Sequence, residues 1–472
     1  MKVIVCGAGQ VGFGIAKQLA AEQNDVTVID QSPQLVQQIS DSLDVRAIVG
    51  HGAHPDVLAR AGAADADMLI AVTFHDEVNM IACQVGHSVF RVPTKIARIR
   101  SQSYLQPGYQ DLFSQENLPI DVIISPELEV SRAVLRRLSL PGASDILNFA
   151  EGKVAVVGVT LEEDCPIVNT PLRQLTELFP DLRSRVVGIS RGGKLFVPRS
   201  DDQMVVDDEV YFAADIRDVR RTLGIFGHEE QEARRILIVG AGNIGLSVAQ
   251  ELERNHPGVR VKVIERQRDR AVYAADHLKR TIVLNGDGLD PELLQEAGIA
   301  DTEAIVTLTN DDQANILTCV LAKREGVGRT MSLINNHTYT PLMRSLGIDA
   351  FMNPRATTVS SVLQHVRRGR IRGLQSVHDG AAEVIEAEAL ETSPLVGKPL
   401  REVNLPDGIL VGAIVREGDV IIPNGNTEIV AGDRVVLFAR FDQVKKVEQI
   451  QHRPRRAGHA EARSRPWSRA GS

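Results

Sequence analysis

The chain has few aromatic side chains and few cysteines for its 472 residues. Aromatic residues make up 4% of the sequence, with a single Trp, and the four cysteines stand far apart without a CxxC pair. Such spacing supplies neither a disulfide framework nor a cysteine-based zinc site. The cysteine pattern is typical of a protein in the reducing cytosol, and we predict no metal site.

Long apolar runs and an excess of positive charge are missing as well. No stretch approaches the roughly 18 apolar residues that a membrane-spanning helix needs, and an N-terminus that leads into a strand does not suit a signal peptide. The net charge is −8, although residues 453–472 contain six Arg and one Glu. An acidic body does not suit nucleic-acid binding. We therefore predict no nucleic-acid partner.

A glycine-rich turn near the N-terminus is the first informative motif that the sequence does contain. An apolar run is followed by Gly7-x-Gly9-x-x-Gly12, a helical stretch and a second apolar strand that ends on Asp30. In this pattern the first glycine allows a tight turn, the second lets backbone amides approach a pyrophosphate, and the third packs the helix on the strand. A carboxylate at the end of the second strand accepts hydrogen bonds from a ribose. The motif predicts a mononucleotide or dinucleotide cradle.

The same pattern recurs in the second half, so the chain contains an internal repeat. Gly240, Gly242 and Gly245 take the places of the three glycines, and the following strand ends on Glu265. Two further segments match: GHGAHPDVL at 50–58 with GDGLDPELL at 286–294, and TFHDEVN at 73–79 with TNDDQAN at 309–315. The repeat thus extends over a whole domain.

The alternation of short Val/Ile strands with helical stretches predicts βαβ units and parallel sheets. After each copy, alternating Val and Ile with turn signals at 191–194 and 417–419 predict a smaller domain with hairpins. The predicted fold class is α/β, with two Rossmann-like parallel-sheet domains, each followed by a small α+β domain. The predicted order is a Rossmann-like domain at 1–124, a crossover helix at 125–151, a small domain at 152–227, a linker at 228–234, a second Rossmann-like domain at 235–352, a second crossover helix at 353–379, a second small domain at 380–450, and a disordered basic tail at 451–472, which has too few apolar residues to fold.

With GAGQVG, GAGNIG and the matched turns in this order, the chain resembles the regulatory proteins of Trk-type potassium uptake, which carry two RCK (regulator of potassium conductance) domains. The resemblance implies a regulatory subunit without enzymatic activity, peripheral on the cytoplasmic face of the membrane. It implies NAD(H) as ligand, or ATP and ADP. It also implies a homo-oligomer with eight N-domains, which a tetramer supplies, seated under a TrkH- or TrkG-like potassium translocator that it gates.

The resemblance also implies two sets of nucleotide contacts, one in each copy. In the first copy they are Gly7, Ala8, Gly9, Gln10, Val11, Gly12, Asp30, His51, Gly52, Thr73, Phe74 and Arg98. In the second copy they are Gly240, Ala241, Gly242, Asn243, Ile244, Gly245, Glu265, Asp287, Gly288, Thr309 and Asn310.

The two sets differ in charge. His51 stands where the second copy has Asp287, and Arg98 has no arginine counterpart because the second copy reads Leu333-Ile334-Asn335 there. We therefore expect the second pocket to be the less cationic one. Both carboxylates would repel a ribose 2′-phosphate, so NAD(H) or an adenine nucleotide is expected rather than NADP.

An NAD-dependent oxidoreductase with duplicated Rossmann domains is the main alternative. Such an enzyme places an acid–base group near the nicotinamide, and no such cluster is evident in the repeated domains. His51 and His54 lack further ligands at metal-binding spacing. The basic run 367–372 is consistent with a solvated helix end or with contact to an acidic partner or lipid headgroups.

Overall fold

A computed structural model describes residues 1–179, 181–366, 371–377, 380–444 and 446–447. The predicted basic tail and residues 367–370 of the basic run lie outside this part of the chain. Within it, two six-stranded and two five-stranded sheets alternate along the sequence. The predicted fold class is confirmed.

The first six strands form a parallel sheet in the order β3-β2-β1-β4-β5-β6. They are β1 (Lys2–Cys6), β2 (Asp25–Asp30), β3 (Arg46–Val49), β4 (Met68–Ala71), β5 (Thr94–Arg98) and β6 (Val122–Ile124), with helices α1 (Gln10–Ala21), α2 (Pro33–Ser42), α3 (Pro55–Arg60) and α4 (Asp76–Ser88) between them. The central strands are continuous runs of Val, Ile, Leu, Met and Ala because helices cover both faces of the sheet.

The crossover helix α5 (Pro126–Ser139) leads into the first small domain. That domain contains β7 (Ala143–Phe149), β8 (Val154–Thr160), α6 (Leu172–Leu178), β9 (Ser184–Arg191), β10 (Lys194–Phe196), β11 (Glu209–Asp215) and α7 (Val219–Ile225). Its sheet is antiparallel, in the order β10-β9-β11-β8-β7. Segment 125–151 is therefore not all crossover helix, because residues 143–149 are paired with β8 as an edge strand.

The second half repeats the Rossmann sheet in the order β14-β13-β12-β15-β16-β17, again parallel. Its elements are β12 (Arg235–Val239), α8 (Asn243–Asn255), β13 (Arg260–Glu265), α9 (Arg268–His277), β14 (Ile282–Asn285), α10 (Pro291–Glu296), β15 (Ala304–Thr307), α11 (Asp312–Arg324), β16 (Arg329–Leu333), α12 (Leu342–Ser345) and β17 (Ala350–Met352). The crossover helix α13 (Pro354–Val366) follows.

The second small domain has the antiparallel order β18-β19-β22-β20-β21. Its strands are β18 (Ile371–Val377), β19 (Ala382–Glu388), β20 (Ile409–Arg416), β21 (Asp419–Ile421) and β22 (Arg434–Arg440). The hairpin turns predicted at 191–194 and 417–419 are confirmed, since Arg191 pairs with Lys194 and Arg416 with Asp419. Short 3-10 helices occupy Ala63–Asp65, Pro107–Phe113, Ala150–Gly152, Ile216–Asp218, Ile299–Asp301, His337–Tyr339, Leu400–Glu402 and Phe441–Gln443.

The two Rossmann domains exchange their crossover helices. Helix α5 leaves the first domain and buries Val134 and Leu138 in the core of the second domain, against α8. Helix α13 leaves the second domain and buries Val362 and Leu363 in the core of the first, against α1. Each core is therefore completed by a helix that comes from the other half of the chain, which couples the two domains mechanically.

The two small domains also pack on each other through their sheets. The rings of Tyr211 and Phe438 lie 6.1 Å apart in a shared apolar cluster, and the backbone N–H of Ala150 donates to Glu386 Oε2 at 2.8 Å. Among the described residues, we find no helix with both the length and the apolar character that crossing a membrane requires.

Candidate functional site: two glycine-turn pockets

The first pocket forms where the glycine turn joins β1 to α1. Gly7 has a φ of +113°, and its N–H donates to the carbonyl of Ile29 at 2.8 Å. A Cβ on Gly12 would stand 1.8 Å from the Gly7 oxygen, so helix and turn touch backbone to backbone. A Cβ on Gly9 would meet nothing within 4 Å. The turn therefore leaves open space before the first N–H groups of α1, where Gln10 and Val11 lie, as an anion site requires.

Asp30 braces this turn from the end of β2. Its carboxylate accepts the N–H of Ala8 at 2.7 Å and the N–H of Ser32 at 2.9 Å. The carboxylate thus lies directly beside the glycine turn, and each oxygen keeps lone-pair capacity for a further donor such as a ribose hydroxyl.

Thr73 and Arg98 lie at the neighbouring strand ends. Asn79 Oδ1 accepts the backbone N–H and the hydroxyl of Thr73 at 2.8 and 2.7 Å, and its amide nitrogen donates to the carbonyls of Thr73 and Arg98. Arg98 Nη2 donates to the Thr73 carbonyl at 2.8 Å. Burial lowers the pKa of Arg98, and its buried Nε has no partner among the described residues. An orphaned guanidinium nitrogen at this edge suits an anionic ligand.

The remaining first-copy residues, His51, Gly52 and Phe74, are not among the residues that line the groove at the first glycine turn. Gly52 packs on Cys6, and His51 accepts the N–H of Ala53 at 3.3 Å while its ring stacks on His54 at 4.4 Å. Phe74 is 71% exposed, with the Arg100 guanidinium 5.2 Å from its ring centre. Among the described residues, no group of three His, Cys, Asp or Glu side chains gathers to hold a metal.

The second glycine turn reproduces the first closely. Gly240 has a φ of +104°, and a Cβ on Gly245 would stand 1.9 Å from its oxygen while one on Gly242 would meet nothing within 4 Å. Glu265 accepts the N–H of Ala241 at 2.7 Å and that of Gln267 at 2.8 Å. The open space lies before Asn243 and Ile244, the first residues of α8.

The other second-copy residues occupy the expected strand ends. Asn315 bonds Thr309 as Asn79 bonds Thr73, with the Thr309 N–H and hydroxyl at 3.0 and 2.7 Å. Asp287 accepts the N–H of Leu289 at 3.0 Å, Gly288 packs on Val239, and Asn310 lines the same cavity. The structure therefore brings most of the predicted second-copy residues together around one crevice; Ala241 and Gly245 belong to the turn but do not line the cavity.

The second pocket is shared between the two Rossmann domains. Its cavity of about 520 Å³ is lined by the second glycine turn and also by Arg100 and Glu127 of the first domain. Arg100 Nε lies 3.0 Å from Glu127 Oε1, and the buried Glu127 Oε2 has no partner within the described chain. Ser131, one turn further along α5, donates to the Glu127 carbonyl at 2.8 Å, and its Oγ lies 3.4 Å from the carbonyl of Ile244 at the start of α8.

The groove at the first glycine turn is also lined by both Rossmann domains, although of the predicted first-copy residues only Ala8, Gly9 and Gln10 line it. Asn335 and Arg355 of the second domain line a large groove together with Ala8, Gly9 and Gln10. Arg355 Nη1 donates to the Asn335 carbonyl at 3.0 Å. A ligand in either pocket would therefore touch both halves of the chain.

Basic residues line both sites. Lys17, Arg136, Arg137 and Arg355 line the groove at the first glycine turn, so the lower positive charge of the second pocket stays a prediction. The second pocket nevertheless contains three arginines that the strand ends do not reveal.

Arg100, Arg266 and Arg270 all line the second pocket. None of them lies at the end of β16, the position that corresponds to Arg98. Arg100 comes from the other domain, and the two others follow Glu265 on the β13–α9 side. The aligned repeat shows Arg270 directly, since Leu35 takes its place in the first copy, whereas the contribution of Arg100 depends on the helix exchange.

Two Rossmann-like domains with matching glycine turns, joined by exchanged crossover helices and each followed by a small antiparallel domain, define a tandem duplicated α/β fold. The TrkA-N domain family matches residues 3–126 and 236–354, and the TrkA-C domain family matches residues 156–227 and 384–452.

Relatives that match this chain over nearly their whole length indicate the same family. The Trk system potassium uptake protein TrkA of Azorhizobium caulinodans is 59% identical over 450 residues, covering 95% of this chain and 98% of the relative. The protein of the same name from Halomonas elongata is 42% identical over 457 residues, covering 95% and 99%. The solved GsuK RCK domain shares the fold with a TM-score of 0.60 at 18% identity, covering 95% and 94%. The chain belongs to the TrkA family of Trk system potassium uptake proteins.

Proposed function

We propose that this protein is the nucleotide-binding regulatory subunit of a Trk-type potassium uptake system, without enzymatic activity of its own. It lies on the cytoplasmic face of the membrane as a homo-oligomer, a tetramer that supplies eight Rossmann domains, and gates a TrkH- or TrkG-like translocator. The ligand is NAD(H) or an adenine nucleotide such as ATP or ADP. The names of the relatives support the system, and a GsuK channel solved with NAD bound supports the ligand class.

One observation carries the ligand part of the proposal: the same open, carboxylate-braced glycine turn occurs twice. In both copies a Cβ on the middle glycine meets nothing within 4 Å, and a carboxylate accepts the N–H of the preceding alanine at 2.7 Å. Backbone N–H groups at a helix N-terminus bind phosphate, and the adjacent carboxylate suits a ribose with a free 2′-hydroxyl.

Regulation follows from where the pockets lie. Each crevice is walled by residues of both Rossmann domains, and the exchanged helices α5 and α13 join these domains. A ligand that binds one inter-domain angle more tightly shifts the population toward that angle. The assembly would transmit the change of angle to the translocator.

The test uses the open glycine positions. Gly9→Asp and Gly242→Asp place a carboxylate in the phosphate space of one pocket each, without a backbone clash. Because like charges repel at short range, each variant is expected to lose at least about tenfold in affinity at its own pocket. Gly258→Asp, in an exposed turn with equal space, is the matched control.

Calorimetry with ATP, ADP, NAD and NADH measures the binding, light scattering measures the assembly, and potassium uptake in cells measures the regulation. If the unaltered protein binds none of the four nucleotides, the ligand part of the proposal is wrong. Steady oxidation of NADH by the pure protein with an oxo acid as acceptor, or steady reduction of NAD by a hydroxy acid, would favour an oxidoreductase instead.

A further inference from the structure

The second pocket contains a cation at a position where the first copy has none. Arg270 is the fifth residue after Glu265, and the fifth residue after Asp30 is Leu35. Both stand in the first turn of equivalent helices, α9 and α2. At the same position beside the glycine turn, the first copy therefore has an apolar side chain and the second copy has a guanidinium.

Contacts on three sides hold the guanidinium of Arg270 over the second glycine turn. Nε donates to the Ala241 carbonyl at 2.7 Å, and Nη2 donates to Asn243 Oδ1 at 3.1 Å. The group lies 4.8 Å from the ring centre of Tyr273, which in turn stacks on His277 at 4.0 Å. The side chain is thus preorganised beside the residue with which α8 begins.

The charge of Arg270 is not neutralised by a carboxylate. Its contacts among the described residues are a carbonyl, an amide oxygen and an aromatic ring. Nη1 has no hydrogen-bond partner in this part of the chain, and the residue lines the cavity of the second pocket. A fixed, unpaired guanidinium next to a helix N-terminus is suited to bind phosphate oxygens.

The first pocket differs at this place. Leu35 packs against the apolar core of the first domain, and it borders the groove beside Ala8 and Gly9. It offers no donor to a phosphate.

We propose that Arg270 binds the phosphates of an adenine nucleotide in the second pocket, from a position that Leu35 occupies in the first copy. The inference deepens the proposed function and rests on it. It names a specificity-determining residue, and it predicts that the affinity of the second pocket depends on phosphate charge through a side chain as well as through the backbone.

In the experiment, Gly9→Asp blocks the first pocket, so that the binding measured in this parent chain is that of the second pocket. The affinity for ADP is compared with the affinity for adenosine, which has no phosphate. Arg270→Leu, the residue found in the first copy, is expected to weaken ADP binding by about tenfold and to leave adenosine binding unchanged, because a hydrogen bond to a charged group contributes about that much. Arg270→Lys keeps the charge without the planar fork and is expected to lie between the two. In a chain with Gly242→Asp, Leu35→Arg is expected to strengthen ADP binding by the first pocket.

Three results would overturn the inference. ADP affinity within about twofold of the parent after Arg270→Leu would show that the guanidinium does not reach the phosphates. Tighter ADP binding would show that Arg270 instead obstructs the turn. An equal loss for adenosine would exclude a phosphate contact. If the Gly9→Asp parent binds ADP and Arg270→Leu does not change it, this inference alone is wrong, whereas an unaltered chain that binds no nucleotide defeats the proposed function as well.

Discussion

The two glycine-turn pockets have the same backbone and different rims. In both, a glycine with φ above +100° begins the turn, a third glycine touches its oxygen, and a carboxylate accepts the N–H between them. The rims do not agree. Leu35 and Asn335, which border the groove at the first glycine turn, correspond to Arg270 and Arg100 around the second pocket, and Gln31 corresponds to Arg266. The close backbone contacts restrict the geometry of the turn, whereas the side chains around it are free to vary.

The largest effect is expected from adding a methyl group where the turn has no room. Gly12→Ala would place a carbon 1.8 Å from the Gly7 oxygen, which is backbone and cannot move aside as a side chain does. We expect a loss of about 4 kcal/mol or more in the stability of the first Rossmann domain. Gly9→Ala, where the carbon meets nothing, is expected to change stability little.

Chemical denaturation of both variants measures this contrast, with Gly245→Ala and Gly242→Ala as the same pair in the second domain. Equal stability of Gly12→Ala and Gly9→Ala would contradict the close helix–turn contact.

The second effect tests the helix exchange. Leu363 belongs to the second half of the sequence, yet it is 2% exposed in the core of the first domain. Leu363→Ala is expected to destabilise the first domain by about 3 kcal/mol. Leu138→Ala, at a buried position of α5, is expected to act on the core of the second domain.

Hydrogen exchange resolved along the chain distinguishes the two cores. Leu363→Ala should accelerate exchange in β1 and β4 before β12 and β15, and Leu138→Ala should do the reverse. Faster exchange in the half of the sequence that carries each mutation would show that the helices are not exchanged.

The sequence predicts the fold better than it predicts the walls of the pockets. Val and Ile runs, glycine spacing and the repeat predict two parallel sheets, and both are present. The apolar stripe of α5 predicts that the helix is buried, but a stripe cannot tell which core receives it. Arg100 and Glu127 are therefore found at the second pocket only once α5 is placed against α8.

The boundary of the small domain illustrates the same limit. Residues 143–149 alternate too weakly to separate from the preceding helix in the sequence, and their pairing with β8 supplies the missing information. Whether a segment forms a strand thus depends on a pairing partner that is distant in the sequence, and the local residue pattern does not identify that partner.

A smaller loss of folding stability is expected when the asparagine that bonds the two strand ends is replaced. Asn79 makes four hydrogen bonds across Thr73 and Arg98 while fully buried. Asn79→Ala removes the partner of the Thr73 N–H and hydroxyl and one donor to each of the Thr73 and Arg98 carbonyls, and it is expected to cost about 2 kcal/mol. Ile81→Ala, on the exposed side of the same helix, is the control.

The melting temperature and the nucleotide affinity of the Asn79→Ala variant should both be lower than those of the unaltered protein, because Thr73 and Arg98 lose the side chain that bonds both of them. Asn315→Ala should do the same to the second pocket. A variant with unchanged melting and unchanged affinity would show that Asn79 does not position the rim.

The smallest effect distinguishes the two copies by pH. Glu253 in α8 accepts the backbone N–H groups of Lys279, Arg280 and Thr281, where the first copy has Ala20. Partial burial acts to raise the pKa of Glu253, but these donors outweigh it and lower the pKa to about 2. The carboxylate therefore stabilises the folded second domain at neutral pH.

A lowered pKa fixes the direction of the pH dependence. The stabilisation is complete above the ordinary carboxyl pKa of about 4.5 and is lost as the pH falls toward about 2, because the unfolded chain then binds a proton that the folded chain does not. Glu253→Gln is expected to cost about 1 kcal/mol at neutral pH, a modest value because the group is partly exposed to solvent. Glu251→Gln removes the same charge from α8 without losing these backbone donors. Urea denaturation of the three proteins between about pH 7 and pH 3 should show the Glu253→Gln deficit shrinking in acid. A deficit that stays constant down to about pH 3 would mean that the backbone donors do not hold the carboxylate in its charged form.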